Sequence, residues 1–341
     1  MYHSKEWRIN DQKNSHLKRV FIIGAGQLGS RHLQALKSSS NSLNIFIIDP
    51  SLESLNIAKE RYESMSGIDN NTVSYSKSLN DITCSNKIDI VIIATASNVR
   101  AEVTIALLKK FIVKTIIFEK ILFQKRKDYF LISELLKSKN VKSYVNCPMR
   151  MMSFYKEIQS SFKGTKFTYM VSGSQYGLVT NLIHYIDHMA FLNQSIDYTC
   201  NANLLENNIF ESKRKGFYEL NGKLFVNFKN GTQGIFSCES KGNLPGVVQA
   251  FNENLHFISR ESEGKVLISR IENDWKWEEV EFNIPYQSEL TAILVEDILI
   301  NDSCSLPSFE ESIKLHLPYL DSILELVNSK NKNKFDHYPF T

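Results

Sequence analysis

The sequence predicts an α/β protein that opens with a doubly wound parallel sheet of the Rossmann type and continues into an α+β region on a mainly antiparallel open sheet. Two observations predict the first part. Short apolar runs alternate with helical patterns from residue 18 to about 146, and a glycine-rich turn follows the first run directly. A third predicts the second part: after Pro148, strand-like stretches succeed one another through turn dipeptides such as Asn221-Gly222 and Asn230-Gly231, which suit tight hairpins.

In chain order, the apolar runs place parallel strands at 19–24, 44–49, 72–75, 88–94, 114–119 and 141–146, the number a doubly wound sheet needs. Further strands are expected near 166–173, 255–260, 264–270 and 275–282. Helical periodicity marks 181–194, 288–300 and 309–328. The expected organisation is a polar tail over 1–17, a dinucleotide-binding domain over 18–147 and a substrate-binding and oligomerisation domain over 148–341. The C-terminal helices of the last are available to pack back on the first domain. The lysine-rich end NSKNKNKFDHY reads as loose.

Bulk properties bound the function. A length of 341 residues suits about two domains, and 43% apolar with 23% charged residues describes a soluble globular chain. The balance of 40 basic to 37 acidic residues, +3 overall, argues against a nucleic-acid partner. No apolar run approaches the length of a membrane span and the polar start is unlike a signal sequence, so no membrane partner is expected and the cytoplasm is the expected location. Five widely spaced cysteines without a CxxC pair read as reduced and mostly buried thiols, and no metal site is expected.

In KRVFIIGAGQLGSRHLQALKSS an apolar strand leads into Gly24-Ala25-Gly26-Gln27-Leu28-Gly29 and then an amphipathic helix. Gly24 permits the tight turn, Gly26 lets the backbone approach a pyrophosphate, and Gly29 allows close helix packing, while the helix N-terminus offers amide donors with Gln27 and Leu28 at its first turn. Twenty residues past Gly29 the second strand ends in Asp49, from which a carboxylate can accept the hydroxyls of an adenosine ribose. A 2′-phosphate would meet like charge there, so NAD(H) is favoured over NADP(H). The alternatives are a glycine turn without a ligand and an Asp49 that only starts the turn before Pro50.

Ligands of open parallel sheets bind at the strands' carboxyl ends. The fourth strand ends in ATAS, with Thr95 and Ser97 placed for cofactor contacts, and the fifth ends in Glu119-Lys120. A lysine there can hydrogen-bond a substrate hydroxyl and handle its proton; equally, it could be a solvated lysine paired with Glu119.

GAGQLGSRH, the ATAS strand end, EKIL, VNCPMR closing the sixth strand and the later NLIHYIDHM occur in the order and at the spacings of one family. The chain resembles the glucose-fructose oxidoreductase, inositol dehydrogenase and rhizopine-catabolism (Gfo/Idh/MocA) oxidoreductases. That resemblance implies a two-domain enzyme, commonly a dimer or tetramer, that oxidises or reduces sugars and cyclitols with NAD or NADP. It implies Lys120 as the catalytic lysine and His184 as the catalytic histidine. By their places at strand ends, Glu119 and Asn146 are candidate cofactor contacts, with a polar hinge between domains as the alternative for Asn146. The resemblance also implies two departures. The family's proline after the lysine is Ile121, and its aspartate four residues before the histidine is Thr180, which cannot carry charge.

On TNLIHYIDHMAFL, helical spacing gathers Thr180, Asn181, His184, Asp187 and His188 on one side and apolar residues on the other. Imidazole can take or return a hydroxyl proton, which suits His184, and Thr180 and Asn181 can position substrate. The bland reading of His184 is a core histidine; a metal reading with Asp187 and His188 lacks any HExxH pattern. Tyr176 and Arg150 are candidate substrate contacts, with simple packing and a polar hinge as their alternatives. The expected function is an NAD-dependent dehydrogenase or reductase acting on a secondary alcohol or ketone of a sugar, nucleotide sugar or sugar-like acid. A cofactor-recycling epimerase or lyase and a non-catalytic dinucleotide sensor are the rival readings.

Overall fold

The computed structural model describes residues 17–66, 70–332 and 334–341, so the expected tail lies outside it except for its last residue. The first strand, β1 (Lys18–Ile23), is followed by α1 (Gln27–Leu36), β2 (Leu43–Ile48), α2 (Leu52–Glu63) and β3 (Thr72–Ser76). The chain then crosses to β4 (Lys87–Ile93), α3 (Arg100–Lys110), β5 (Ile112–Phe118), α4 (Arg126–Ser138) and β6 (Lys142–Val145). All five pairings are parallel, in the order β3-β2-β1-β4-β5-β6. The order reverses between β1 and β4, which is where ligands of this architecture sit.

From Val20 onward β1 is apolar, as is β2 apart from Asn44, because both faces of the sheet are covered. Phe21, Ile23, Phe46 and Ile48 enter one core with Phe111 and Leu107; Val20, Ile22, Ile45 and Ile47 enter the other with Leu33 and Leu36. Each such side chain contributes roughly 1.5–3 kcal/mol by leaving water.

Past a short 3-10 turn at Pro148–Met151 come α5 (Ser153–Phe162), β7 (Thr168–Ser174), α6 (Leu178–Asn193) and β8 (Tyr198–Leu205). Next are β9 (Phe210–Glu211), β10 (Tyr218–Glu219), β11 (Gly222–Phe228), β12 (Gln233–Glu239), β13 (Val247–Phe251), β14 (Leu255–Arg260), β15 (Lys265–Arg270) and β16 (Trp277–Glu281). The chain ends with α7 (Gln287–Asn301) and α8 (Phe309–Lys330). An eight-stranded sheet runs β16-β15-β14-β13-β7-β12-β11-β8, antiparallel except for the parallel β7–β12 pair, and β9 with β10 forms a separate small ribbon. The expected fold class is present in both sheets.

Four differences from the sequence reading have physical reasons. Asn230-Gly231 does join β11 to β12, but Asn221-Gly222 makes no hairpin: Gly222 (φ +110°) swings the chain from β10 into pairing with Leu205 of β8. A Cβ at Gly222 would lie 2.7 Å from the Glu206 nitrogen, so glycine serves close strand approach there. Helix α5 and strands β8, β9, β10 and β13 carried too weak a pattern to be read. The lysine-rich end is not loose in its last residues: Tyr338 and Phe340 are buried, and the Tyr338 amide donates to the Gln124 carbonyl (2.7 Å). All five cysteines are free, but only Cys147 and Cys238 are buried. Helix α7 lies against α1, and its Leu294, Val295 and Ile298 join the core on that side of the parallel sheet. Among the described residues no helix is long and apolar enough to cross a membrane.

Candidate functional site

The glycine loop divides its labour in space. Gly24 takes φ +98°, and a Cβ on it would meet Ala94 and Thr95 backbone atoms at 2.9 Å; a Cβ on Gly29 would lie 1.7 Å from the Gly24 carbonyl oxygen. At Gly26 a Cβ would meet nothing within 4 Å. Gly26 begins α1 with no side-chain cap, so no side chain takes the helix's first amides. Gln27 is exposed and its Oε1 accepts from Arg61 (2.8 Å), while Leu28 is half-buried. Asp49, at the end of β2, accepts from the Ala25 amide (2.7 Å) with Oδ2 and from the Ser51 amide (2.8 Å) with Oδ1. Its carboxylate therefore closes the loop and also begins the turn after Pro50.

At the end of β4 the Thr95 hydroxyl is buried without a partner among the described residues. Ser97, expected at the cofactor, is 2% exposed and its hydroxyl donates to the Phe340 carbonyl (3.0 Å). The C-terminal segment takes that side chain. Arg100 is fully buried and ties the ends of β4 and β5 together by donating to the carbonyls of Thr95, Glu119, Ile121 and Leu122.

Glu119 and Asn146 also differ from expectation, because their side chains bond inward. Glu119 Oε1 bonds His32 Nε2 (2.9 Å) and the Asn146 amide (2.6 Å), and His32 reaches Thr291 on α7 (2.8 Å) through Nδ1. Asn146 also donates to Gln287 Oε1 (2.8 Å). Burial works against the Glu119 charge, but the hydrogen bond and charge of His32, the Asn146 bond and Lys120 together hold its carboxyl down at about 2. This network of four elements fixes the strand end that carries Lys120.

Lys120 follows β5, and its peptide bond to Ile121 is cis. Its Nζ donates to the Thr180 carbonyl (3.1 Å) and to Asn181 Oδ1 (3.1 Å), so the amine bridges the parallel sheet and the first turn of α6. Burial lowers the proton affinity of the amine. Asn181 is oriented in turn by its amide bond to the Tyr176 carbonyl (2.6 Å). One turn on, His184 Nδ1 is buried with no hydrogen-bond partner among the described residues, and burial, with the neighbouring Lys120, lowers the imidazole to about 3. It is neutral near pH 7. The Tyr176 hydroxyl is likewise buried without a partner among the described residues, its ring edge-on to Tyr185.

Thr180 does not face the lysine alone. Its hydroxyl and its amide (2.9 Å) both donate to Glu219 Oε1, and the Val179 amide donates to Oε2 (3.0 Å). A carboxylate thus stands beside the position where the family resemblance expects one, delivered from β10. Sequence reasoning missed Glu219, as it missed Arg100, His32, Gln287 and Thr291; only His32 lies in a quoted motif, at the end of GAGQLGSRH.

Arg150 belongs elsewhere. Its guanidinium donates twice to Asp187 (2.7 Å each) and once to Glu311 of α8 (2.7 Å), a buried ion-pair cluster rather than a free substrate contact. Burial would lower its proton affinity, but the two carboxylates outweigh it. His188 bonds the Tyr169 hydroxyl (2.9 Å) and lies against the Tyr155 ring. Of the donors of the metal reading, Asp187 and His188 are thus engaged in separate contacts. A cavity of about 380 Å³ lies between α2 and the segment after β3, with three strands separating β3 from β5.

Residues 18–147 match a family model described as an oxidoreductase family with an NAD-binding Rossmann fold, Gfo/Idh/MocA. A comparison with curated proteins finds no match. Among solved structures, the chain is similar to a Gfo/Idh/MocA family oxidoreductase from Vibrio cholerae (15% identity, TM-score 0.67, covering 92% of this chain and 99% of that one). It is similar to the UDP-N-acetylglucosamine 3-dehydrogenase GnnA from Acidithiobacillus ferrooxidans (12%, TM-score 0.66, 92% and 99%). It is also similar to a levoglucosan dehydrogenase in complex with NADH and L-sorbose (14%, TM-score 0.67, 95% and 99%). At such identities the likeness establishes the two-sheet fold over nearly the whole chain.

Proposed function

We propose that the chain, whose residues 18–147 match the Gfo/Idh/MocA oxidoreductase family, moves hydride between NAD(H) and a secondary alcohol or ketone of a sugar, nucleotide sugar or sugar-like acid. The observation that carries this reading is Lys120: an amine of lowered proton affinity, held by Thr180 and Asn181 at the carboxyl end of β5, with the open nitrogen of His184 one turn along the facing helix.

The residues fit the cofactor. The open space at Gly26 and the uncapped amides of α1 would hold the pyrophosphate, Asp49 the adenosine ribose, and the partnerless Thr95 hydroxyl the cofactor's other end. A bound nicotinamide dinucleotide supplies the hydride acceptor or donor. In oxidation, neutral Lys120 accepts the substrate hydroxyl proton at Nζ; in reduction, the ammonium returns it. His184, neutral, accepts a hydrogen bond through Nδ1 and orients the reacting hydroxyl, while Asn181 and Tyr176 line the approach. That a UDP-sugar dehydrogenase and a levoglucosan dehydrogenase share the fold supports the substrate class. The acid side of Asp49 favours NAD(H) over NADP(H).

The free thiols suit a reducing cytoplasm. The outer strand β16, exposed along its length with Trp277 and Val280, suits a homodimer or homotetramer.

The test is a substrate panel of free sugars, sugar acids and nucleotide sugars incubated with NAD+ or NADH, read by nicotinamide absorbance and by soaked crystals. Turnover of one class with density beside Lys120 is expected. Binding of sugars only at sites away from Lys120, with no redox change across the panel, would sink the reading.

A further inference from the structure

Helix α6 begins at Gly177, in a left-handed conformation and with no side-chain cap, which leaves its first amides without local partners. The partner comes from 39 residues away. Glu219 accepts from the Val179 and Thr180 amides and from the Thr180 hydroxyl, and it is 4% exposed. The same turn of α6 supplies both acceptors of Lys120, the Thr180 carbonyl and Asn181 Oδ1. Strand β10, which carries Glu219, pairs only with β9, outside the large sheet.

We infer that Glu219 is a positioning residue for Lys120: it clamps the first turn of α6 against the amine and brings its carboxyl to the turn that holds Lys120. A helix cap alone needs no charge, since a local serine, threonine or asparagine satisfies the same amides. Burying a carboxylate costs free energy, and in a desolvated site its field acts over several ångströms.

The other titratable groups facing Lys120 are Glu119 on β5, Cys147 after β6, Arg214 between β9 and β10, His184 on α6 and His316 on α8. Glu119 is already engaged by His32 and Asn146. Burial first, with Arg214, favours the neutral amine, whereas Glu119, Cys147 and Glu219 favour the ammonium; burial also raises the Glu219 carboxyl, against the hydrogen bonds it accepts from Thr180 and Val179.

The experiment is competitive trace acetylation of the full-length protein with acetic anhydride across pH, with the Lys120 peptide quantified by mass spectrometry. Glu219→Gln is expected to lower the midpoint of Lys120 labelling by on the order of one pH unit. The surface residue Lys229 should not move. Thr180→Asp added to Glu219→Gln is expected to bring the midpoint back, because it returns a carboxylate to the point the Thr180 hydroxyl now touches. Should Glu219→Gln not fold, Glu219→Asp, which withdraws the charge by one methylene, is expected to give a smaller downward shift. An unmoved midpoint in a folded variant, or a shift that Thr180→Asp does not reverse, overturns the inference. It rests on the proposed role of Lys120, but labelling needs no turnover. Failure here therefore leaves the oxidoreductase reading to its own test.

Discussion

Lys120 Nζ donates to Asn181 Oδ1 over 3.1 Å, so the end of β5 and the start of α6 meet through a single amine. Removing that amine should separate binding from chemistry. Lys120→Ala is expected to lower kcat by about 10²- to 10⁴-fold with NADH affinity within a few-fold of native. His184→Ala, which removes a neutral hydrogen-bond acceptor rather than a titrating base, should cost less, on the order of tenfold, and leave the acid limb of the pH profile in place. Steady-state kinetics with fluorescence titration of NADH checks both. A Lys120→Ala protein with native turnover would remove the lysine from the mechanism.

Gly26 and Gly29 make opposite predictions from one motif. A methyl at Gly26 enters open space, so Gly26→Ala should leave the melting temperature nearly unchanged but weaken NADH binding at least tenfold by obstructing the phosphates. A methyl at Gly29 would overlap the Gly24 carbonyl at 1.7 Å, so Gly29→Ala should destabilise the fold by about 1–3 kcal/mol before any ligand is added. Calorimetry and titration on the two variants separate them. Equal loss of stability in both would show that Gly26 is structural.

Asp49 carries the cofactor preference and part of the loop. Asp49→Ala is expected to remove the preference for NADH over NADPH, and also to cost about 1 kcal/mol of stability, because the Ala25 and Ser51 amides lose their acceptor. Asp49→Asn keeps an acceptor and removes the charge. It should erase most of the preference at a smaller cost in stability. Equal binding of the two cofactors by the native protein would contradict the Asp49 argument.

The glycine loop was legible because its information is local: glycines at fixed spacing, a preceding apolar strand and Asp49 at the next strand's end each follow from backbone geometry within thirty or so residues. The alternation of Val20, Phe21, Ile22 and Ile23 between two cores likewise follows from a strand covered on both faces. What stayed hidden is non-local. Asn221-Gly222 has the chemistry of a turn, and Gly222 does adopt positive φ, but pairing with β8 decided where the chain went. Glu219 reads as an ordinary residue in FYELNGKLF, and only the fold brings it to Thr180. Arg150 had the opposite fate: a residue that looked available for substrate is paired with Asp187 in the interior. At the C-terminus, lysines and asparagines suggested a loose end, while the aromatic rings of Tyr338 and Phe340 determined the packing.

Acid should unfold the protein in a characteristic window. His188 and His316 are fully buried, and burial first, with nearby cations, lowers both from an ordinary 6.5 to about 3. Because their folded values lie below the unfolded one, the stability they contribute is complete above about pH 6.5. It is lost as pH falls from there toward 3, at up to about 1.4 kcal/mol per histidine per pH unit. His316→Gln, with Nδ1 replaced by an amide that can still donate to the Ser312 carbonyl, should flatten the fall between pH 6.5 and 4.5. Urea denaturation across that range reads the slope. A slope identical to native would mean His316 takes up no proton on unfolding.

Arg150 is expected to be worth more to folding than to catalysis. Its side chain is the only hydrogen-bonded cation on Asp187 among the described residues, and Asp187 is fully buried. Arg150→Met preserves the packing stem but leaves Asp187 charged and unpaired, or forces it to hold a proton. The expected loss is about 3–5 kcal/mol, much larger than for an exposed pair such as Lys229–Asp197. The double variant Arg150→Met with Asp187→Leu should recover a large part of that loss, because it removes the stranded carboxylate together with its partner. Measuring both by chemical denaturation distinguishes a buried ion pair from a substrate contact. If Arg150→Met were as stable as native and instead raised KM, Arg150 would face substrate after all.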